Sequence, residues 1–89
     1  MEILKCASAG TIESSDAYVE IEPLEKGLDI HLESVVKQQF GEEIYSAVRD
    51  VLAENGVENA SVRVVDRGAL ECVIRARVET AILRGKGDK

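Results

Sequence analysis

At 89 residues, with 45% hydrophobic and 31% charged side chains, the chain has room for one small globular domain, residues 1–89, and no more. A fold of this size buries roughly two-thirds of its unfolded surface, which leaves little interior for a private catalytic pocket. The formal net charge of −6 argues against a nucleic-acid surface. With no apolar run long enough to span a membrane and no basic and apolar leader, a cytoplasmic protein is expected, with neither nucleic acid nor membrane as partner.

The alternation of Ala9 to Glu13 and of Ala17 to Glu22 predicts two strands. Ile12 is expected to face inward on the first, and Val19 and Ile21 on the second, with Tyr18, Glu20 and Glu22 outward. Between them "SSD" is turn chemistry, because short polar side chains hydrogen-bond nearby backbone. Pro23 ends the second strand. A third strand follows over Leu28 to Leu32, with Leu28, Ile30 and Leu32 inward.

From Ser34 the period becomes helical. Val36, Phe40, Ile44, Val48 and Val51/Leu52 form one apolar stripe, with Ser34 as the expected N-cap and Asn55-Gly56 as the stop. Gly41 is a weak point inside that helix. Val62, Val64 and Val65 predict a buried strand ending at the turn Asp66-Arg67-Gly68. The last segment fits two patterns. Leu70, Cys72, Ile74, Ala76 and Val78 alternate as in a strand, whereas Leu70, Val73/Ile74, Arg77/Val78 and Ala81/Ile82 follow a helical stripe. Its Ala, Leu, Glu and Arg content and a Glu71–Arg75 pair favour helix, leaving residues 85–89 as a frayed tail. The expected fold is α+β, β-β-β-α-β-α, one sheet with helices on one face.

Few residues suggest chemistry. His31 falls on the outward side of the third strand beside Asp29, without the paired nucleophile that catalysis needs. No histidine or cysteine spacing supports a metal site. Cys6 and Cys72 lack a C-x-x-C spacing and read as two reduced, buried thiols. The acidic residues concentrate in the first two-thirds of the chain and the basic ones in the last third, a distribution suited to docking on protein partners. What remains is serine hydroxyl. Ser14 and Ser15 lie in a turn, and Ser34 opens a helix as does the serine of ordinary phosphopantetheine carriers. Turn preference and capping alone explain all three.

"AGTIESSD", "VVKQQFG" and "DRGALECVIRARVETA" occur in this order across nearly the whole chain, and together they resemble the acyl carrier protein family of citrate lyase, its γ subunit. The resemblance implies a non-catalytic carrier, with no catalytic and no metal-binding residue. Ser14 would carry 2'-(5''-phosphoribosyl)-3'-dephospho-CoA through a phosphodiester, and Ser15 and Asp16 would be turn neighbours without a chemical role. It further implies as partners an α subunit that transfers acyl groups, a β subunit that cleaves citryl thioester to oxaloacetate, a prosthetic-group transferase and an acetate-activating ligase. An arm on a hairpin tip makes successive reactions intramolecular while the domain stays docked.

Three rivals remain at this level. A malonate decarboxylase carrier uses a similar arm on serine. An ordinary phosphopantetheine carrier, modified at Ser34, would be a helical bundle. An unmodified adaptor would bind partners through its acidic hairpin face.

Overall fold

The computed structural model describes residues 2–34 and 37–86. Four strands and two helices follow in chain order: β1 (Ala7–Gly10), β2 (Ala17–Pro23), β3 (Leu28–Ser34), α1 (Lys37–Glu54), β4 (Ala60–Asp66) and α2 (Glu71–Gly85). The sheet order is β1-β2-β4-β3, with β1 and β4 antiparallel to β2 and β3 parallel to β4. Helix α1 is thus the crossover of a parallel pair, and β4 enters the sheet between β2 and β3.

Alternation in the two central strands makes the core. Ala17, Val19 and Ile21 of β2 lie beside Asp66, Val64 and Val62 of β4, and all six are buried. Onto this face α1 packs Ile44, Val48, Val51 and Leu52, and α2 packs Ile74, Val78, Ala81 and Ile82. The opposite face carries charge: Arg63 bonds Glu20 at 3.2 Å and Glu33 at 3.5 Å. His31 stands there as expected, exposed, with Nε2 3.1 Å from Asp29 Oδ2.

Helix α1 stops where Asn55-Gly56 predicts. The Gly56 N–H donates to Ala53 O and the Val57 N–H to Leu52 O, with Gly56 at φ 68°, the paired bonds of a Schellman ending. Residues 69–78 resolve in favour of helix. Ile74 and Val78 are buried while Cys72 and Ala76, which a strand would bury with them, are exposed. The Glu71–Arg75 pair forms at 2.9 Å.

Several expectations are corrected. The first strand ends at Gly10, earlier than its apolar pattern implies, so Ile12 is 60% exposed in the turn and Ala9 takes the inward place. Leu28, at the start of an edge strand, is 38% exposed, and Val65 shares Tyr18's partly buried side of the sheet. Ser34 is the last residue of β3 and donates its hydroxyl to Asp66 Oδ2 at 2.8 Å, while the junction that would show it capping α1 lies outside the described residues. Val36 and the side chain of Phe40 lie outside the described residues. Leu70 precedes α2 and is 72% exposed rather than part of its stripe. Cys6 and Cys72 are free thiols as expected but both exposed, one ahead of β1 and the other on the solvent side of the first turn of α2. Gly85 is not frayed. It closes α2, is buried, and accepts the N–H groups of Leu4 at 2.9 Å and Lys5 at 3.1 Å. The tail beyond Lys86 lies outside the described residues.

Candidate functional site

The β1–β2 connection begins with a backbone that only glycine accommodates. Gly10 sits at φ 90°, and a Cβ there would overlap the Ala17 carbonyl and meet Arg77 Cδ at 3.0 Å. The chain therefore leaves the sheet at Gly10 and returns at Ala17. At the tip, the Asp16 N–H donates to Glu13 O at 3.1 Å, closing a four-residue turn with Ser14 and Ser15 in its centre. Ser15 takes φ 68°, the positive value that the second central residue of a type II turn requires. Ser14 occupies the first central place, where a β-region serine is unstrained. It is exposed, and its hydroxyl has no hydrogen-bond partner among the described residues.

Asp16 fixes this turn. Its carboxylate accepts the Thr11 hydroxyl at 2.7 Å, its neighbour Ala17 N–H at 2.7 Å, and both Nε and Nη2 of Arg77 at 3.1 and 3.0 Å. The Arg77 contact is a bidentate fork from α2, 61 residues away, and its stem passes over the bare face of Gly10. The Thr11 hydroxyl and then the Arg77 guanidinium hold the Asp16 carboxyl at about 2, below its ordinary 3.8. A second tie is backbone to backbone. Ser15 N–H donates to Arg67 O at 2.8 Å, and Arg67 N–H donates to Asp16 O at 2.9 Å. The tip is thereby held by both the end of β4 and the middle of α2.

Asp66, 1% exposed, organises the ground behind the turn. Its carboxyl accepts Gly68 N–H at 3.2 Å, Ala69 N–H at 2.9 Å and the Ser34 hydroxyl. Beside it a cleft of 240 Å³ opens between the helices, floored by Ile44, Ala69 and Ile74 and flanked by Glu43 and Glu71. No group of three or more potential metal ligands exists among the described residues, and no described helix is long and apolar enough to cross a membrane.

Of the serines singled out in the sequence, Ser14 and Ser15 are both exposed, neither hydroxyl bonded among the described residues, and Ser34 is committed to a partly buried bond. The turn narrows the choice to the pair, and the family resemblance names Ser14. Asp16, to which the sequence offers no role, is the anchor of the turn. Arg77, Thr11 and Arg67 join it. Only the placement of "ESSD" in a turn hinted at Asp16, and nothing in a linear reading links it to Arg77.

The arrangement suits covalent modification: a reachable hydroxyl, held in place, with no base or nucleophile dyad around it among the described residues to act on a substrate. A phosphodiester on Ser14 Oγ fits that geometry, because the residue is exposed and the Asp16 carboxylate of the same turn is already countered by Arg77.

Known proteins resemble this chain over nearly its whole length. The family described as "ACP: Malonate decarboxylase delta subunit (MdcD)" matches residues 5–85. The citrate lyase acyl carrier protein of Escherichia fergusonii is 56% identical over 85 residues, covering 94% of this chain and 88% of that protein. That of Albidiferax ferrireducens is 51% identical over 89 residues, covering 99% and 91%. A chain in the crystal structure of a Pseudomonas malonate decarboxylase hetero-tetramer in complex with malonate shares the fold, with a TM-score of 0.63 at 18% identity, covering 94% of this chain and 91% of that one.

Proposed function

The chain belongs to the family of citrate lyase acyl carrier proteins, and from that membership we propose that it is a cytoplasmic, non-catalytic subunit that carries acyl groups on an arm attached to Ser14. The observation that carries this reading is the exposed, unpartnered Ser14 hydroxyl at a turn fixed from two sides. The arm is 2'-(5''-phosphoribosyl)-3'-dephospho-CoA, whose thiol supplies thioester chemistry when attached.

The protein's own residues contribute placement. Gly10 sends the chain out of the sheet, Asp16 and Arg77 hold the tip against α2, and Ser14 Oγ offers the attachment point to a prosthetic-group transferase. The cleft behind the tip is lined by Glu43 and by Glu71, itself paired with Arg75, and by no cation among the described residues, so it offers carboxylate-bearing cargo such as a citryl group no partner. Cargo is then left free for the α and β subunits, which do the transfer and the cleavage, and for an acetate-activating ligase.

A malonate decarboxylase carrier is the second reading, favoured by the matching family description and by the fold neighbour. Intact mass and peptide mapping of the protein from citrate-fermenting cells test the first. The expected result is the phosphoribosyl-dephospho-CoA adduct on Ser14, in a preparation that cleaves citrate once mixed with α and β subunits. Activity restored only to malonate decarboxylase subunits would select the second reading, and an unmodified Ser14 in active preparations would reject both.

A further inference from the structure

Five of the chain's six arginines have partners: Arg84 donates to Ser8 O at 2.8 Å, Arg49 lies 6.0 Å over the Tyr45 ring, and three more form ion pairs. Arg63 binds Glu20 and Glu33, Arg75 binds Asp50 and Glu71, and Arg77 binds Asp16. Arg67 differs. It is exposed and has no ion-pair or side-chain hydrogen-bond partner among the described residues, in a chain of net charge −6. Its main chain is bonded on both sides to the serine turn, through Ser15 N–H to Arg67 O and Arg67 N–H to Asp16 O. Two hydrogen bonds thus hold the main chain of Arg67, which bears an uncommitted guanidinium, against the turn that carries Ser14, while the Asp66 carboxyl, by binding Gly68 and Ala69 N–H, fixes the loop that follows it.

Building on the reading of Ser14 as the attachment site, we propose that Arg67 binds the phosphodiester formed on Ser14 Oγ and so sets the direction in which the arm leaves the domain. The electrostatics call for such a partner. Once modified, Ser14 carries a negative phosphate beside the exposed carboxylate of Glu13 and two residues from Asp16. Asp16 is matched by Arg77, but nothing described balances Glu13 plus the phosphate except Arg67. A guanidinium is suited to this, since its planar fork meets two phosphate oxygens at once. Arg67 is a positioning residue here, acting on the base of the arm and not on the acyl group.

The test uses the full chain loaded with phosphoribosyl-dephospho-CoA by its transferase, with the site of loading fixed by peptide mapping. The expected result has three parts. The Arg67 Nε–H resonance shifts on loading while that of Arg63 stays, and the shift is reversed in roughly 0.5 M salt, where screening falls to a few ångström. The phosphodiester phosphorus line, resolved from the arm's pyrophosphate, narrows about twofold in loaded Arg67→Ala relative to wild type. Arg67→Lys recovers part of the width. If the group is on Ser14 but the Arg67 resonance is unmoved and the phosphorus line is equally broad in Arg67→Ala, the clamp is wrong and the carrier reading stands. If the group maps to another residue, both fall together. Because Arg67 is exposed, these variants leave the core intact, and a circular dichroism melt confirms it.

Discussion

Ser14 and Ser34 stand at the same end of the sheet, since Asp66 pairs in register with Ala17 on one side and with Ser34 on the other. Their hydroxyls have opposite fates. Ser34 ends a strand and donates a hydrogen bond to a buried carboxyl, where the bond satisfies an acceptor that cannot reach water. Ser14 is raised on a turn whose hydrogen bonds all run through its neighbours: Asp16, Ser15, Thr11 and Arg67. The fold spends its local polar groups on holding Ser14 still while leaving its oxygen unengaged. One serine is structural because it is bonded, and the other is available because everything around it is.

The largest effect that can break this contrast is on loading. Ser14→Ala is expected to abolish attachment of the prosthetic group entirely, read by intact mass, while changing stability by less than about 0.5 kcal/mol, as for other exposed sites. Ser34→Ala should load like wild type. Loading of Ser14→Ala, or failure of Ser34→Ala to load while folded, would reverse the two roles. The next effect is on stability. Asp66→Ala strands Gly68 N–H, Ala69 N–H and the Ser34 hydroxyl, and should cost roughly 2–3 kcal/mol in a denaturant titration. Asp66→Asn should cost clearly less, because its amide oxygen can still accept from the loop and its NH2 can donate to Ser34 Oγ. Equal losses in the two variants would show that the Asp66 network does not stabilise the fold in this way. Ser34→Ala removes one of those bonds and should lose about 1 kcal/mol.

Much of the frame behind these differences is legible in the sequence, because it follows from period and turn chemistry. The alternation of β2, the stripe of α1 from Ile44 onward and the Asn55-Gly56 stop each reflect a local rule that the packed structure does not override. The errors fall where a long-range contact decides. Ile12 alternates with its neighbours, yet the close approach of Ala17 to Gly10 ends the strand before Ile12 can join it. The linear pattern places Ser34 only as the residue before a helix, yet β3 continues far enough for its hydroxyl to reach Asp66. The Asp16–Arg77 fork joins residues 61 positions apart in the chain, and no spacing announces it.

That fork also yields the smallest effect, one whose pH dependence appears only in acid. With its carboxyl held at about 2 against an ordinary 3.8, Asp16 binds fewer protons in the folded than in the unfolded chain between those values. Its contribution is therefore fully present above about pH 4 and disappears as pH falls toward 2. The stability of the wild type should slope downward with acid through that window, and Asp16→Asn should flatten the slope there while leaving a pH-independent loss from the altered Arg77 contact. A carboxyl carbon titration separates the causes. Thr11→Val and Arg77→Gln should each move the Asp16 midpoint upward toward 3.8, since the Thr11 hydroxyl and the guanidinium both favour the ionised form. A midpoint already near 3.8 in the wild type would mean that the fork does not persist in solution, and that Ser14 is displayed on a looser turn than the one described. In that case Asp16→Asn would leave loading of Ser14 untouched, whereas a turn held by the fork should load more slowly once the fork is removed.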